Sequence, residues 1–296
     1  MNKIIDPHLH FFELNLGHYQ WLQEANPPFW PDKHKLRQNF HEEALTLNPN
    51  TMLAGFVHIE AGFDNVQPWR EIAWLESSCS LPFKTVAGID LTLKEESFKD
   101  HINQLSQYSS VAGCRHILDE HAYALLCQEN VQHNLAFLAK NHLSFDLQMP
   151  LSDKIAVDLL IQILKSLPSL RLIINHAGWP PIASMKTDMQ TLQAAWQQWQ
   201  SNLEALSAFQ HCAIKCSGWE MMNRQYQSQW QFDIIAQCIH AFGDERVMLA
   251  SNFPLVLLKQ DYHALWEHYF KLELTQTQIT ALTYANAAHW YQFNRD

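Results

Sequence analysis

Short apolar runs alternate along this chain with longer stretches whose apolar residues recur at helical spacing. The runs "KIIDPHLH", "MLAGFVHIEA", "KTVAGIDL", "VAGCRHIL", "LSFDLQMP", "LRLIINHAG", "CAIKCSG" and "RVMLASNFP" have the length and the β-branched content of buried strands. Between and after them, helical periodicity is expected around 65–78, 94–108, 121–141, 152–166, 186–208, 228–242, 261–273 and 275–291. The last of these opens on a Thr cap. Eight strands interleaved with helices predict an α/β fold of the (β/α)8 TIM-barrel type, with residues 1–296 forming one domain. The competing arrangement, a doubly wound open sheet, usually announces a bound dinucleotide with a glycine-rich first turn. No GxGxxG occurs among only 8 glycines. Residues 11–50 break the pattern. They are aromatic, proline-bearing and weakly periodic, and too long for an ordinary βα connection. In a barrel they follow the first strand, so they are expected at the rim as a lid-like insertion or pocket wall.

Composition narrows the class. With 47% hydrophobic residues the chain can bury a large core. A formal net charge of −10 leaves no basic field for a phosphate backbone, so nucleic acid is not an expected partner. The six cysteines form no CxxC pair and read as reduced, mostly buried thiols. No run is long enough to span a bilayer and no signal-peptide pattern opens the chain, which points to the cytoplasm. The expected partners are a small-molecule substrate and, as an assembly, a homodimer.

A barrel places its functional groups at the C-terminal ends of its strands. Strand after strand here stops in polar residues: His8 and His10, then His58 and Glu60, Arg115 and His116, Gln148, Asn175 and His176, Ser217 with Trp219 and Glu220 just beyond, and Ser251 with Asn252. His8 and His10, two apart on a strand, share one face. Two imidazoles on the barrel axis can bind a divalent metal or hold a substrate oxygen. Most of the 17 histidines need no such role. Lys215 is expected to face outward. Asp6 is expected on the inward face beside His8, in a structural hydrogen bond.

The segments "DPHLHFF", "GFVHIEA", "GCRHIL", "INHAGWP", "KCSGWE" and "RVMLASNFPL", in this order, resemble the amidohydrolase-related proteins, the branch of the amidohydrolase superfamily that includes sugar and dicarboxylate lactonases. The resemblance covers the whole chain. It implies a barrel hydrolase that opens a small cyclic ester. It also implies that His8, His10 and His176 line the site, either holding a divalent ion such as Zn or Mn or, in relatives that need no metal, polarising the substrate carbonyl. The pattern breaks at strand 8, where the usual aspartate is Asn252. An amide cannot take up the proton that the aspartate, as general base, removes from water. The expected catalytic set is therefore His8, His10, His176 and Asn252, with Glu60, Arg115, Gln148 and Trp219 around the substrate. A metal-dependent decarboxylase and a catalytically weak binding barrel are the alternatives.

Overall fold

A computed structural model describes residues 1–183 and 188–293. Eight strands stand where the apolar runs predict them. They are β1 (Asn2–Leu9), β2 (Thr51–Ile59), β3 (Phe83–Gly88), β4 (Val111–Ile117), β5 (Ser144–Gln148), β6 (Leu172–Ile174), β7 (Cys212–Cys216) and β8 (Val247–Leu249). Each pairs in parallel with the next, in the order β1 to β8. The ring closes at the rim, where the His10 amide donates to Phe253 O (2.7 Å) and the Asn252 amide to His8 O (2.8 Å). This is a (β/α)8 barrel.

The helices pack outside it: α1 (Trp69–Ser78), α2 (Glu95–Leu105), α3 (Ala122–Leu126), α4 (Glu129–Lys140), α5 (Lys154–Ser166), α6 (Met189–Ser207), α7 (Trp219–Met222), α8 (Ser228–Phe242) and α9 (Tyr262–Tyr269). The expected helix at 121–141 is thus two helices, α3 and α4. That at 186–208 begins only at Met189, after an Asp188 cap that accepts from the Thr191 amide; its first two residues, 186 and 187, lie outside the described residues. The final segment begins with the Thr cap, in a capping box with Gln278. It runs through α10 (Gln276–Thr280), a π-helical turn at Ala281–Ala285, and α11 (Asn286–Trp290).

Two packing layers follow from strand alternation. The barrel interior holds Ile5, Val57, Ile59, Val86, Ile173 and Met248, joined by Trp290 and Tyr291 from the end of the chain. The larger layer lies between strands and helices. Residues 11–50 contain no α-helix, only three 3-10 turns. They are nonetheless anchored by buried Phe11, Phe12, Tyr19, Leu22, Leu36 and Phe40. All six cysteines are free. Among the described residues no helix is long and apolar enough to cross a membrane.

Candidate active site

A cavity of about 1030 Å³ opens at the C-terminal ends of the strands, with His10, Glu60, Arg115, Gln148, His176 and Asn252 in its lining. His8 lies buried beside them, its ring centre 4.5 Å from that of His176 and 5.1 Å from that of His10. Seven of the eight residues singled out from the sequence therefore meet at one rim. Residues 11–50 form part of the wall through Trp21, Pro27, Pro28 and Trp30. Trp21 is fixed by its indole N–H, which donates to Ala61 O (2.8 Å).

Hydrogen bonds assign the imidazole nitrogens. His10 Nδ1 is 2.8 Å from Ile59 O, which can only accept, so the proton sits on Nδ1 and Nε2 keeps its lone pair. His176 Nδ1 is 3.0 Å from Ser217 Oγ. Where the serine hydroxyl donates, His176 Nε2 carries the proton; where it accepts, Nε2 keeps its lone pair. Both His8 nitrogens are buried without a partner. Burial, then the nearby Lys215 charge, holds His8 well below the usual imidazole range. Burial, then Arg115, lowers His10 to about 3 and lowers His176 as well. All three rings are neutral at physiological pH.

His176 rides on an unusual backbone. His176, Ala177, Gly178 and Trp179 have φ of 54°, 51°, 65° and 53°, four successive residues in the left-handed region. A short turn of this hand throws the His176 ring across the floor of the cavity, against Trp179 at 4.7 Å between ring centres. Gly218, with φ of 71°, makes room for it; a Cβ there would lie 2.4 Å from His176 Nδ1.

A chain of polar contacts crosses the floor. Arg115 Nε and Nη2 bind Glu60 Oε1 at 2.9 and 2.8 Å, and Nη1 donates to Gln148 Oε1 at 3.1 Å. Gln148 Nε2 donates to Asp119 Oδ2 (3.2 Å), and the Trp179 indole donates to Asp119 Oδ1 (3.1 Å). Burial pushes Glu60 up, but the Arg115 charge, the Arg115 hydrogen bond, His10 and the Gly62 backbone together outweigh it and the carboxyl ends below its ordinary value. The guanidinium charge is thus paired with Glu60 within the protein. Asp119, Trp179, Trp21 and Trp30 were not selected from the sequence. Trp179 stood in the quoted "INHAGWP"; nothing in the local pattern marks Asp119.

Four expectations are corrected. Trp219 does not face the cavity: it is buried against Trp230, and its indole donates to the Tyr269 hydroxyl (2.8 Å), because Gly218 turns the chain away just before it. Lys215 does not point outward. It is fully buried, its Nζ 2.6 Å from Asp146 Oδ2, and it stands over the Tyr291 ring. Tyr291 Oη donates to the same carboxylate oxygen at 2.8 Å. Asp6 does not share the face of His8. The ladder pairs Asp6 with Phe56 and Leu9 with His58, so three residues of β1 span two of β2, and the alternation slips between them. Asp6 does make structural hydrogen bonds, to the Ser251 amide (3.1 Å) and hydroxyl. His58, two before Glu60, turns from the rim: its Nδ1 accepts from the Phe11 amide, and its Nε2 donates to buried Glu71 (3.0 Å).

The donor chemistry suits a divalent ion: two orphaned nitrogens on His8, a free lone pair on His10 and neutral rings throughout. As arranged here, however, no group of three or more His, Cys, Asp or Glu among the described residues is placed to hold one.

The amidohydrolase family model Amidohydro_2 matches residues 5–293. The chain belongs to the amidohydrolase family. Members of this family are mostly hydrolytic enzymes acting on small molecules. Among curated proteins, the uncharacterised protein y4mH of Sinorhizobium fredii is 27% identical, with 98% of each chain covered. L-fucono-1,5-lactonase of Burkholderia multivorans is 28% identical over 129 residues, covering 40% of this chain and 42% of the relative. The fold is shared with a crystal structure of a Burkholderia multivorans amidohydrolase with bound HEPES, at a TM-score of 0.77 and 20% identity, over 98% of this chain and 99% of that one. Another crystal form of that amidohydrolase has zinc bound. A 2,6-dihydroxybenzoate decarboxylase shares the fold more distantly, at a TM-score of 0.63 and 12% identity, over 99% of this chain and 100% of that one.

Proposed function

We propose that this amidohydrolase opens a small lactone whose ring is neutral and hydroxylated. The observation that carries the reading is a set of three neutral imidazoles at the closed end of a cavity that offers no spare cation. Arg115 is the one Lys or Arg among the described lining residues, and Glu60 binds it. Of the lining carboxyls, Glu60 is paired with Arg115, Asp64 with Arg70, and burial drives Glu71 toward its neutral form, which leaves Asp90, Asp119 and Glu120 without a Lys or Arg partner among the described residues. An anionic ring would enter against these carboxylates without a counter-charge, whereas hydroxyls find acceptors and the ring faces find Trp21, Trp30 and Trp179. The lactonase relative named above supports the same class.

In this reading His176 Nε2–H donates to the lactone carbonyl oxygen and strengthens that bond as the oxygen gains charge. His10 Nε2 accepts a hydrogen of the attacking water and orients it. His10 Nε2 takes that proton as hydroxide adds to the acyl carbon; the ring C–O bond then breaks and His10 returns the proton to the leaving ring oxygen, giving a hydroxy acid. A divalent ion would require the other His176 tautomer, with Nε2 free; His8, His10 and His176 would then be the residues to hold it, and it would supply Lewis acidity in place of the Nε2–H donor. A decarboxylase substrate carries the carboxylate that the cavity charge disfavours.

The test is a panel of neutral sugar lactones, aromatic-derived lactones and carboxylated rings, followed by acid release and by carbon dioxide release. Turnover confined to neutral lactones is expected, with His176→Ala at least about a hundredfold slower. Carbon dioxide release would establish the decarboxylase. Binding without turnover across the panel would establish a binding barrel.

A further inference from the structure

Asn252 stands where the family resemblance implies an aspartate, and its neighbour explains how the site tolerates the change. Glu220, from α7 just beyond β7, is buried, and its Oε1 accepts from Asn252 Nδ2 at 2.6 Å. Asn252 in turn lines the cavity, and no protein hydrogen bond to its Oδ1 is found among the described residues. Its backbone is pinned: the amide donates to His8 O at 2.8 Å, and φ is 57°.

We propose that Glu220 is a positioning residue that stands in for the strand-8 carboxylate through Asn252. An ionised carboxylate can only accept hydrogen bonds, so it draws the amide NH2 to itself. The Asn252 carbonyl oxygen is thereby turned toward the cavity as an acceptor for a substrate or water hydrogen. The pair keeps one carboxylate, at 220, and one amide, at 252, in contact. The surrounding charged and titratable groups leave Glu220 this role. Arg224 spends its side chain on the Glu220 backbone carbonyl and on Asp32 (2.9 Å), and Tyr226 and Tyr269 are the nearby phenols. Burial pushes Glu220 up to about 7, with the Asn252 hydrogen bond opposing it.

The pairing makes a specific prediction for paired variants. Asn252→Asp alone sets two buried carboxylates in contact, which cannot both ionise. Adding Glu220→Gln restores one carboxylate and one amide. The effect on hydrolysis rests on the lactonase reading, but the coupling between the two positions does not, so two readouts are used. In thermal melts at pH 8, Asn252→Asp is expected to melt below the wild type and the double variant Asn252→Asp/Glu220→Gln to recover most of the loss. Equal melting of all variants would overturn the pairing. With a lactone that the wild type hydrolyses, Glu220→Gln retains a hydrogen bond to Asn252 but no longer dictates which end of the amide faces it. Its kcat is expected to fall about a hundredfold with KM little changed, and the double variant to regain at least about tenfold. Wild-type kcat in Glu220→Gln would overturn the positioning role. Failure of every lactone would defeat the hydrolase reading and leave the melting comparison to decide the pairing.

Discussion

Removing the Lys215 ammonium should destabilise the protein far more than a typical substitution. Lys215 and Asp146 are both fully buried inside the barrel, 2.6 Å apart. Asp146 Oδ2 also accepts from Tyr291, while Oδ1 has no partner. Lys215→Met keeps the volume and the apolar stem but leaves the Asp146 charge facing the barrel core with one phenol for support. Breaking a buried pair from one side costs about 3–5 kcal/mol. At roughly 2.1 cal/mol/K per residue, 296 residues unfold with an entropy near 0.6 kcal/mol/K, so the melting temperature should fall by about 5–8 °C. Removing both charges, in Lys215→Met/Asp146→Leu, should recover most of the deficit, because the penalty is the orphaned charge and not the lost attraction. Urea unfolding of the wild type, both single variants and the double gives the coupling directly. A Lys215→Met protein within about 1 kcal/mol of the wild type, or a double variant no better than the single, would refute the argument.

Gly218→Ala places a methyl against the His176 ring on a backbone that disfavours any side chain; turnover should collapse while the circular dichroism spectrum keeps its barrel signature. Trp179→Ala removes a wall and the hydrogen bond to Asp119, so KM for a neutral lactone should rise more than kcat falls. His58 gives a pH signature. Burial lowers it to about 3 from an ordinary 6.5, so the unfolded chain takes up its proton first as pH falls. Its contribution is fully present above pH 6.5 and is lost on the acid side, by about 2 kcal/mol between pH 8 and 5. The stability difference between wild type and His58→Gln should narrow by that amount over the same range in denaturant titrations.

Much of this was legible in the chain because strands and polar strand ends are local signals. The eight apolar runs are the eight strands, and His8, His10, Glu60, Arg115, Gln148, His176 and Asn252 do gather at one rim. The misreadings arise where alternation is interrupted or a partner is remote. The slip between Asp6 and Leu9 reverses the facing of Asp6, and no residue type announces it. The left-handed Gly218 ends the strand logic one residue before Trp219. Lys215 lies two before Ser217, which does reach the site, so alternation puts it on the inward face; the partners that let it stay there lie 69 and 76 residues away in sequence. The hold of Glu220 on Asn252 spans 32 residues and is likewise invisible to periodicity.

The turn from His176 to Trp179 sets a bargain between durability and aim. Each L-residue held in that hand costs about 1–2 kcal/mol, and three of the four are not glycine. Ala177→Gly would lift part of that load and toughen the fold. It would also free the ring of His176 to wander, so selection for heat resistance alone should drift toward glycine at 177 and select against catalysis as it does so.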